Sequence, residues 1–308
     1  MEYLDFLECI RDLVEKVCPK EDSVVLRKVT KNNSFNLDCI MILKPDAVVT
    51  PTIYLNGYFN DFLEGKSLEK IAEEIVASDD EARNKFGFNV EDFTDFDIMK
   101  SRIACKLVNR ERNLAMLNEV PHKDYLDFAV VYYFYIENTG TGCATSIVNK
   151  SFLDRWNIDE DMLHEIAMEN TPVIMKPVIK SMVEILGELI GSEGYSDEQR
   201  EDMYNDIENL KTSAPEMFVL TNKTGIFGAA GILNEKLLRD FGKTYGNFFI
   251  LPSSIHELIF VPDDKLINGK ELEKMVKDVN ITRVNYDEYL SDYVYYYDTD
   301  RLSVEKLN

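Results

Sequence analysis

Two stretches of this sequence share one pattern: a proline, a few polar residues, then a strongly apolar run. Around Pro121 the chain reads EVPHKDYLDFAVVYYF, and around Pro252 it reads ILPSSIHELIFVP. Runs this apolar and this short suit buried strands, and the longest, Phe128 to Ile136, falls well below a membrane span. Each stretch follows a segment with amphipathic helical spacing and precedes a second capped helix, which predicts a duplicated α/β unit. The expected fold class is α+β, with mixed or antiparallel sheets, packed helices and an internal duplication.

The rest of the chain can be divided around that pair. Tyr3, Phe6, Leu7, Ile10, Leu13, Val14 and Val17 make one helical stripe, ended by Pro19. Ser23 to Thr30 and Leu37 to Leu43 read as a hairpin across Lys31–Ser34, with a third strand at Thr52 to Leu55. Helical stretches near 57–64 and 67–77 lead to an acidic segment, Ser78 to Asp97, read as a linker or surface excursion. Residues 1–98 are thus an N-terminal helix plus β-meander region. Residues 99–205 are the first α/β unit. It has a helix over Arg102–Leu117, a strand over Leu126–Ile136 and its partner Cys143–Val148 across the turn Asn138–Gly142. A helix capped by Asn157 and ended by Pro172 follows, then one over Val178–Ile190. Residues 206–308 are the second unit. It has strands at Met217–Thr221 and from Ile226, a helix over Leu233–Phe241 capped by Gly242, and strands Phe248–Leu251 and Ile255–Val261. A helix after Gly269 and an aromatic C-terminal β-hairpin from Asp292 complete it. That aromatic strand, YVYYY, reads as an edge on which a homo-oligomer could form.

Composition narrows the function classes. Apolar residues make up 45% and aromatics 11%, enough for a packed core. The formal net charge of −22 repels phosphate backbones and anionic lipid, so neither nucleic acid nor membrane is an expected partner. The N-terminus, MEYLDFLECIRDLVEKV, lacks the basic start, continuous apolar stretch and small-residue cleavage site of a signal peptide. The five cysteines are widely spaced and form no C-x-x-C, which suits reduced thiols in a cytoplasmic protein.

The polar residues between the prolines and the apolar runs are the candidate site. Ser253, Ser254, His256 and Glu257 supply hydroxyl, imidazole and carboxylate, the ingredients of nucleophilic catalysis. Ser254 and His256 share a face if they lie on a strand, whereas Glu257 faces away, so an acid from elsewhere would have to orient the histidine. There is no G-x-S-x-G elbow, and the serines serve equally well as turn caps. His122, Asp124 and Asp127 could act as acid and base or hold a metal; turn chemistry after Pro121 accounts for them too. His164-Glu165 and His256-Glu257 begin like H-E-x-x-H, but Met168 and Phe260 stand where the second histidine belongs, so no metal site is expected. Gly140-Thr-Gly142, Asn222-Lys223 and the triplet Gly225, Gly228, Gly231 resemble phosphate loops only in part. They read as turns or close backbone packing, and no cofactor is expected.

An ordered set of motifs runs through the chain: PTIYLN from Pro51, LVNRERN from Leu107, VPHKDYLDFAVVYY from Val120, VLTNKTGIFGAAGIL from Val219, LPSSIHELIFVP from Leu251 and SDYVYYYD from Ser291. In these the chain resembles an uncharacterised bacterial family, domain of unknown function 5688. The resemblance covers nearly the whole chain. It implies a bacterial, cytosolic protein of α+β layout, and it implies no reaction, substrate or catalytic residue.

The leading functional expectation is a cytosolic bacterial binding or regulatory protein without its own catalysis, acting on a small molecule or protein partner. The alternatives are a hydrolase or transferase using Ser254 and His256, and an assembly protein joined through the C-terminal aromatic strand.

Overall fold

The computed structural model describes residues 1–45, 50–85, 95–138, 143–192, 194, 196–213, 215–265 and 268–307. The chain falls into two compact units, Met1–Met99 and Lys100–Asn308. Among the described residues all three sheets are antiparallel and helices pack on them, an α+β architecture.

In the first unit, helix α1 (Tyr3–Val17) buries Phe6, Leu7, Ile10 and Val14 as its spacing requires. They meet the three-stranded sheet β1 (Ser23–Thr30), β2 (Asn36–Leu43) and β3 (Ile53–Tyr54), followed by α2 (Asn56–Leu63) and α3 (Leu68–Lys85). The hairpin forms in the expected place, with Ser23 opposite Leu43 and Thr30 opposite Asn36. Asn33 and Ser34 take positive φ at its turn. The acidic segment begins as helix: Asp79, 1% exposed, pairs with Arg83 at 2.6 Å, and Arg83 also donates to the Ile42 carbonyl at 2.5 Å. The rest of that segment, 86–94, lies outside the described residues, and α4 (Phe96–Met99) follows it.

The second unit holds two sheets. The smaller is β4 (Ile103–Asn109), β6 (Phe128–Asn138) and β5 (His122–Tyr125), with β7 (Cys143–Ile147) also on β6. The larger runs in the order β13 (Ser303–Lys306), β12 (Tyr295–Asp298), β10 (Phe248–Ser254), β11 (Glu257–Pro262), β9 (Phe218–Asn222), β8 (Pro177–Ser181). The helices are α5 (Leu114–Leu117), α6 (Lys150–Trp156), α7 (Glu160–Met175), α8 (Met182–Ser192), α9 (Asp197–Ser213), α10 (Glu235–Tyr245) and α11 (Gly269–Thr282).

Several local expectations are corrected here. Arg102–Leu117 is not a helix: Ile103–Asn109 pairs along its length with β6 and is buried on both faces. A short run buried on both sides has no period by which helix and strand can be told apart. Val178–Ile190 is strand and then helix. Ser181 and Glu184 mark the switch with a capping box, the hydroxyl accepting Glu184 N–H at 3.1 Å and the carboxylate accepting Ser181 N–H at 2.9 Å. The segment after Ile226 is a 3-10 turn, Gly228–Leu233, not a strand. Asn157 ends α6 in the left-handed region, and Asp159 caps α7, which continues through Pro172. Helix α10 runs past Gly242 to Gly246, where φ is 76°. The turn Asn138–Gly142, with its Gly140-Thr-Gly142, falls on residues 139–142, outside those described.

The internal duplication is not shown. Pro121 precedes β5 in a loop and Pro252 lies within β10; a strand and a one-turn helix stand ahead of the first, the full helix α10 ahead of the second. The unit expected over 99–205 also gives β8 to the sheet that carries β9 to β13. The aromatic strand is not an edge: β12 lies between β10 and β13.

Candidate functional site

The Pro252 junction is a tight β10–β11 hairpin whose polar groups satisfy one another. Ser254 Oγ accepts His256 N–H at 3.0 Å, an ordinary hydroxyl turn. Ser253 Oγ donates to Glu257 Oε1 at 2.9 Å. The His256 ring turns away from both serines. Its Nδ1 accepts Phe227 N–H at 3.1 Å, which assigns the proton of the neutral ring to Nε2, 3.6 Å from Glu288 Oε1. Burial lowers the His256 pKa, opposed by Glu288. An acid from elsewhere does face the histidine, as the sequence reading required. With Nδ1 already accepting, however, neither ring nitrogen is left to activate Ser254, and no hydrogen bond joins them among the described residues.

The Pro121 junction is similarly committed. His122 Nδ1–H donates to the Val120 carbonyl at 3.1 Å. Asp124 pairs with Arg110 at 2.8 Å with both side chains more than half exposed. Asp127 accepts Tyr295 O–H at 2.5 Å and Ser291 O–H at 3.3 Å. Burial first, then the Asp127 bond, push the Tyr295 phenol far above its usual range. Among the described residues the two junctions share no bonding partner, but one segment touches both. Ile255 N–H donates to the Glu288 carbonyl at 2.8 Å, Asn109 Nδ2–H to the Leu290 carbonyl at 2.9 Å, and Ser291 reaches Asp127.

The histidines do not converge. His164 Nδ1 lies 3.0 Å from Tyr132 Oη on another element, and burial lowers its pKa. Among the described residues no group of three or more His, Cys, Asp or Glu side chains is placed to hold a metal ion.

Room for a ligand lies elsewhere, in a cleft that Phe227 helps to line. A cleft of about 180 Å³ is lined by Cys105 of β4, by Met168, Thr171 and Met175 of α7, and by Phe227 and Ala230. Its wall depends on the glycines that resemble a phosphate loop. A Cβ on Gly228 would sit 2.5 Å from the His256 carbonyl and 2.7 Å from Thr221 Cα, and one on Gly231 would sit 2.9 Å from Leu220 Cδ1. Phe227 takes φ 54°, a left-handed conformation costing a non-glycine residue about 1 kcal/mol. The His256 acceptor holds it there, with the imidazole stacked on the ring at 5.8 Å and Lys106 Nζ 4.3 Å from the ring centre.

The polar groups around the cleft bond to the protein. Thr171 Oγ1 donates to the Ala167 carbonyl at 2.6 Å and accepts Cys105 N–H at 2.9 Å. Asn222 Nδ2–H donates to the Ile226 carbonyl at 2.6 Å, and Asn234 Oδ1 caps α10. Burial pushes the Cys105 thiol up to about 11, so it stays protonated and unreactive near neutral pH. Among the described residues no Lys or Arg lines the cleft, and Glu235 is the one carboxylate that does. Sequence reasoning missed Thr171, Met175 and Phe227 as lining residues; the spacing of Gly228 and Gly231, read as close backbone packing, is the one local signal at this cleft.

The chain belongs to the Family of unknown function (DUF5688), whose profile matches residues 3–299. No curated protein and no solved structure gives a significant match. Among the described residues no helix is long and apolar enough to cross a membrane.

Proposed function

We propose that this chain is a binding or regulatory protein of the bacterial cytoplasm without its own catalysis, and that its ligand enters the cleft between α7 and the Gly228–Leu233 turn. The observation that carries this reading is the contrast in bonding. Each serine, histidine and carboxylate at the two junctions is held by a protein partner, whereas the cleft offers about 180 Å³ of largely apolar space. Apolar cavities of about 150 Å³ already take a benzene-sized guest. Among the described residues the lining holds no cation, so a phosphate or carboxylate head group is disfavoured, and a neutral or apolar group fits. The acidic surface and unpaired cysteine spacing favour a cytoplasmic setting.

Ala230→Leu tests the reading, because Ala230 is 4% exposed and lines the cleft. A small molecule retained by wild type in native mass spectrometry, or a fragment bound in ligand-observed NMR, is expected to be lost in the variant. Wild type that carries nothing and binds no fragment sinks the proposal.

A further inference from the structure

We infer that the groove beside β8 takes an extended peptide segment of a partner protein, which pairs its backbone with Ile179 and places one apolar side chain in the neighbouring cleft. The inference rests on the binding reading of that cleft. Strand β8 is an edge of the six-stranded sheet. Met182 N–H donates to the Met217 carbonyl at 2.8 Å, and the register continues from Ser181 opposite Phe218 to Pro177 opposite Asn222. Bonded and non-bonded pairs alternate along an antiparallel ladder. Lys180 and Val178 therefore bond β9, while Pro177, Ile179 and Ser181 turn their backbone groups outward.

That outer edge is closed at both ends. Pro177 has no N–H, and the Ser181 N–H is taken by the Glu184 carboxylate at 2.9 Å. Between them, Ile179 keeps an N–H and a C=O with no partner among the described residues. An outward donor and acceptor on one residue are matched by the donor and acceptor of a single residue in another extended chain. The two blocked positions limit the pairing to a short segment and disfavour edge-to-edge stacking of copies.

The space beside the strand suits such a segment. Ile179 and Ser181 line a groove of about 960 Å³, walled by Leu237, Phe241 and Tyr245 of α10. Pro172, Pro177 and Asn234 line both groove and cleft, so the two adjoin. The groove carries both signs of charge, Lys176 and Lys236 with Glu184, Glu216 and Asp240, which suits a polypeptide with mixed polar side chains better than a simple anion.

The test is selection from a displayed library of random eight-residue peptides on the full chain, followed by calorimetry with each enriched peptide. Peptides sharing one apolar position are expected, and two backbone hydrogen bonds are worth about tenfold in Kd. Ile179→Pro removes the outward N–H, one of the two bonds, and spares the β9 ladder, so it should weaken binding about threefold. N-methylating single peptide amides tests the same bonds on wild-type protein, should that variant not fold. Ala230→Leu should abolish binding. Enriched peptides indifferent to both Ile179→Pro and N-methylation overturn the inference. So does a wild-type dimer that Ile179→Pro dissociates, since a second copy would then fill the groove. Fragment binding blocked by Ala230→Leu, with no peptide selected, overturns the peptide and leaves the cleft reading standing. Failure of both probes removes both.

Discussion

The Pro252 hairpin and the cleft both meet Phe227 and have opposite character. The hairpin packs two serines, a histidine and a glutamate into five positions, and each finds a partner within its own turn, in Phe227 or near Glu288. The cleft is lined by methionines, a protonated thiol and glycine-shaped backbone, and it has room. A density of reactive side chain types is therefore no measure of chemical readiness. Buried polar groups are stable only when bonded, and here the bonds tie His256 to Phe227 and Ser254 to the turn instead of to each other. Here the polar hairpin is the scaffold and the apolar cleft is the candidate site, joined by the His256–Phe227 bond.

The sharpest way to break this comparison is Gly228→Ala. Its new methyl meets backbone on two sides, so the variant should lose about 3 kcal/mol in urea unfolding. A loss under about 1 kcal/mol would mean that the cleft wall yields and the hairpin does not hold it. Next is Tyr295→Phe, which removes the O–H from Asp127 and should cost about 2 kcal/mol by the same measurement. A neutral result would separate β12 from the stability of the Pro121 junction.

Acidification should act through His256. Its folded pKa lies below the ordinary value of 6.5, so the unfolded chain takes up the proton first. The stability it contributes is present above that value and declines as the pH falls from there toward the folded pKa. His164, also lowered by burial, adds to the same slope. Replacing His256 with Asn, whose side-chain oxygen can still accept Phe227 N–H, should flatten part of the decline between pH 7.5 and 5.5 in urea midpoints. An unchanged slope would remove His256 as its cause. Arg110→Ala has the smallest expected effect: the pair with Asp124 is more than half exposed, so stability should shift by no more than about 0.5 kcal/mol.

Much of the fold was legible where one face alone is buried. The stripe of α1 and the alternation of the β1–β2 hairpin follow from sequence because solvent on the other side imposes a period. Where both faces are covered that period disappears, and Ile103–Asn109 passed for a helix. The Ser181-x-x-Glu184 capping box was a readable start signal that the apolar run over Val178–Ile190 obscured. The candidate residues were legible as types. Their roles were not, because His256 and Asp127 take partners at positions 227, 288, 291 and 295 that no spacing rule connects to them.

By itself, then, the sequence determined an acidic α+β chain, the buried face of its first helix, its first hairpin, and glycines whose spacing implied close backbone packing. Those are properties of neighbours along the chain, where period, charge and steric size act locally. Only the tertiary structure decided that His256 accepts from a backbone N–H instead of serving a serine, that the aromatic strand is interior, and that β8 is an edge with one open residue. Hydrogen-bond direction, sheet order and enclosed volume depend on segments far apart in sequence meeting at fixed distances, and such meetings leave no local trace.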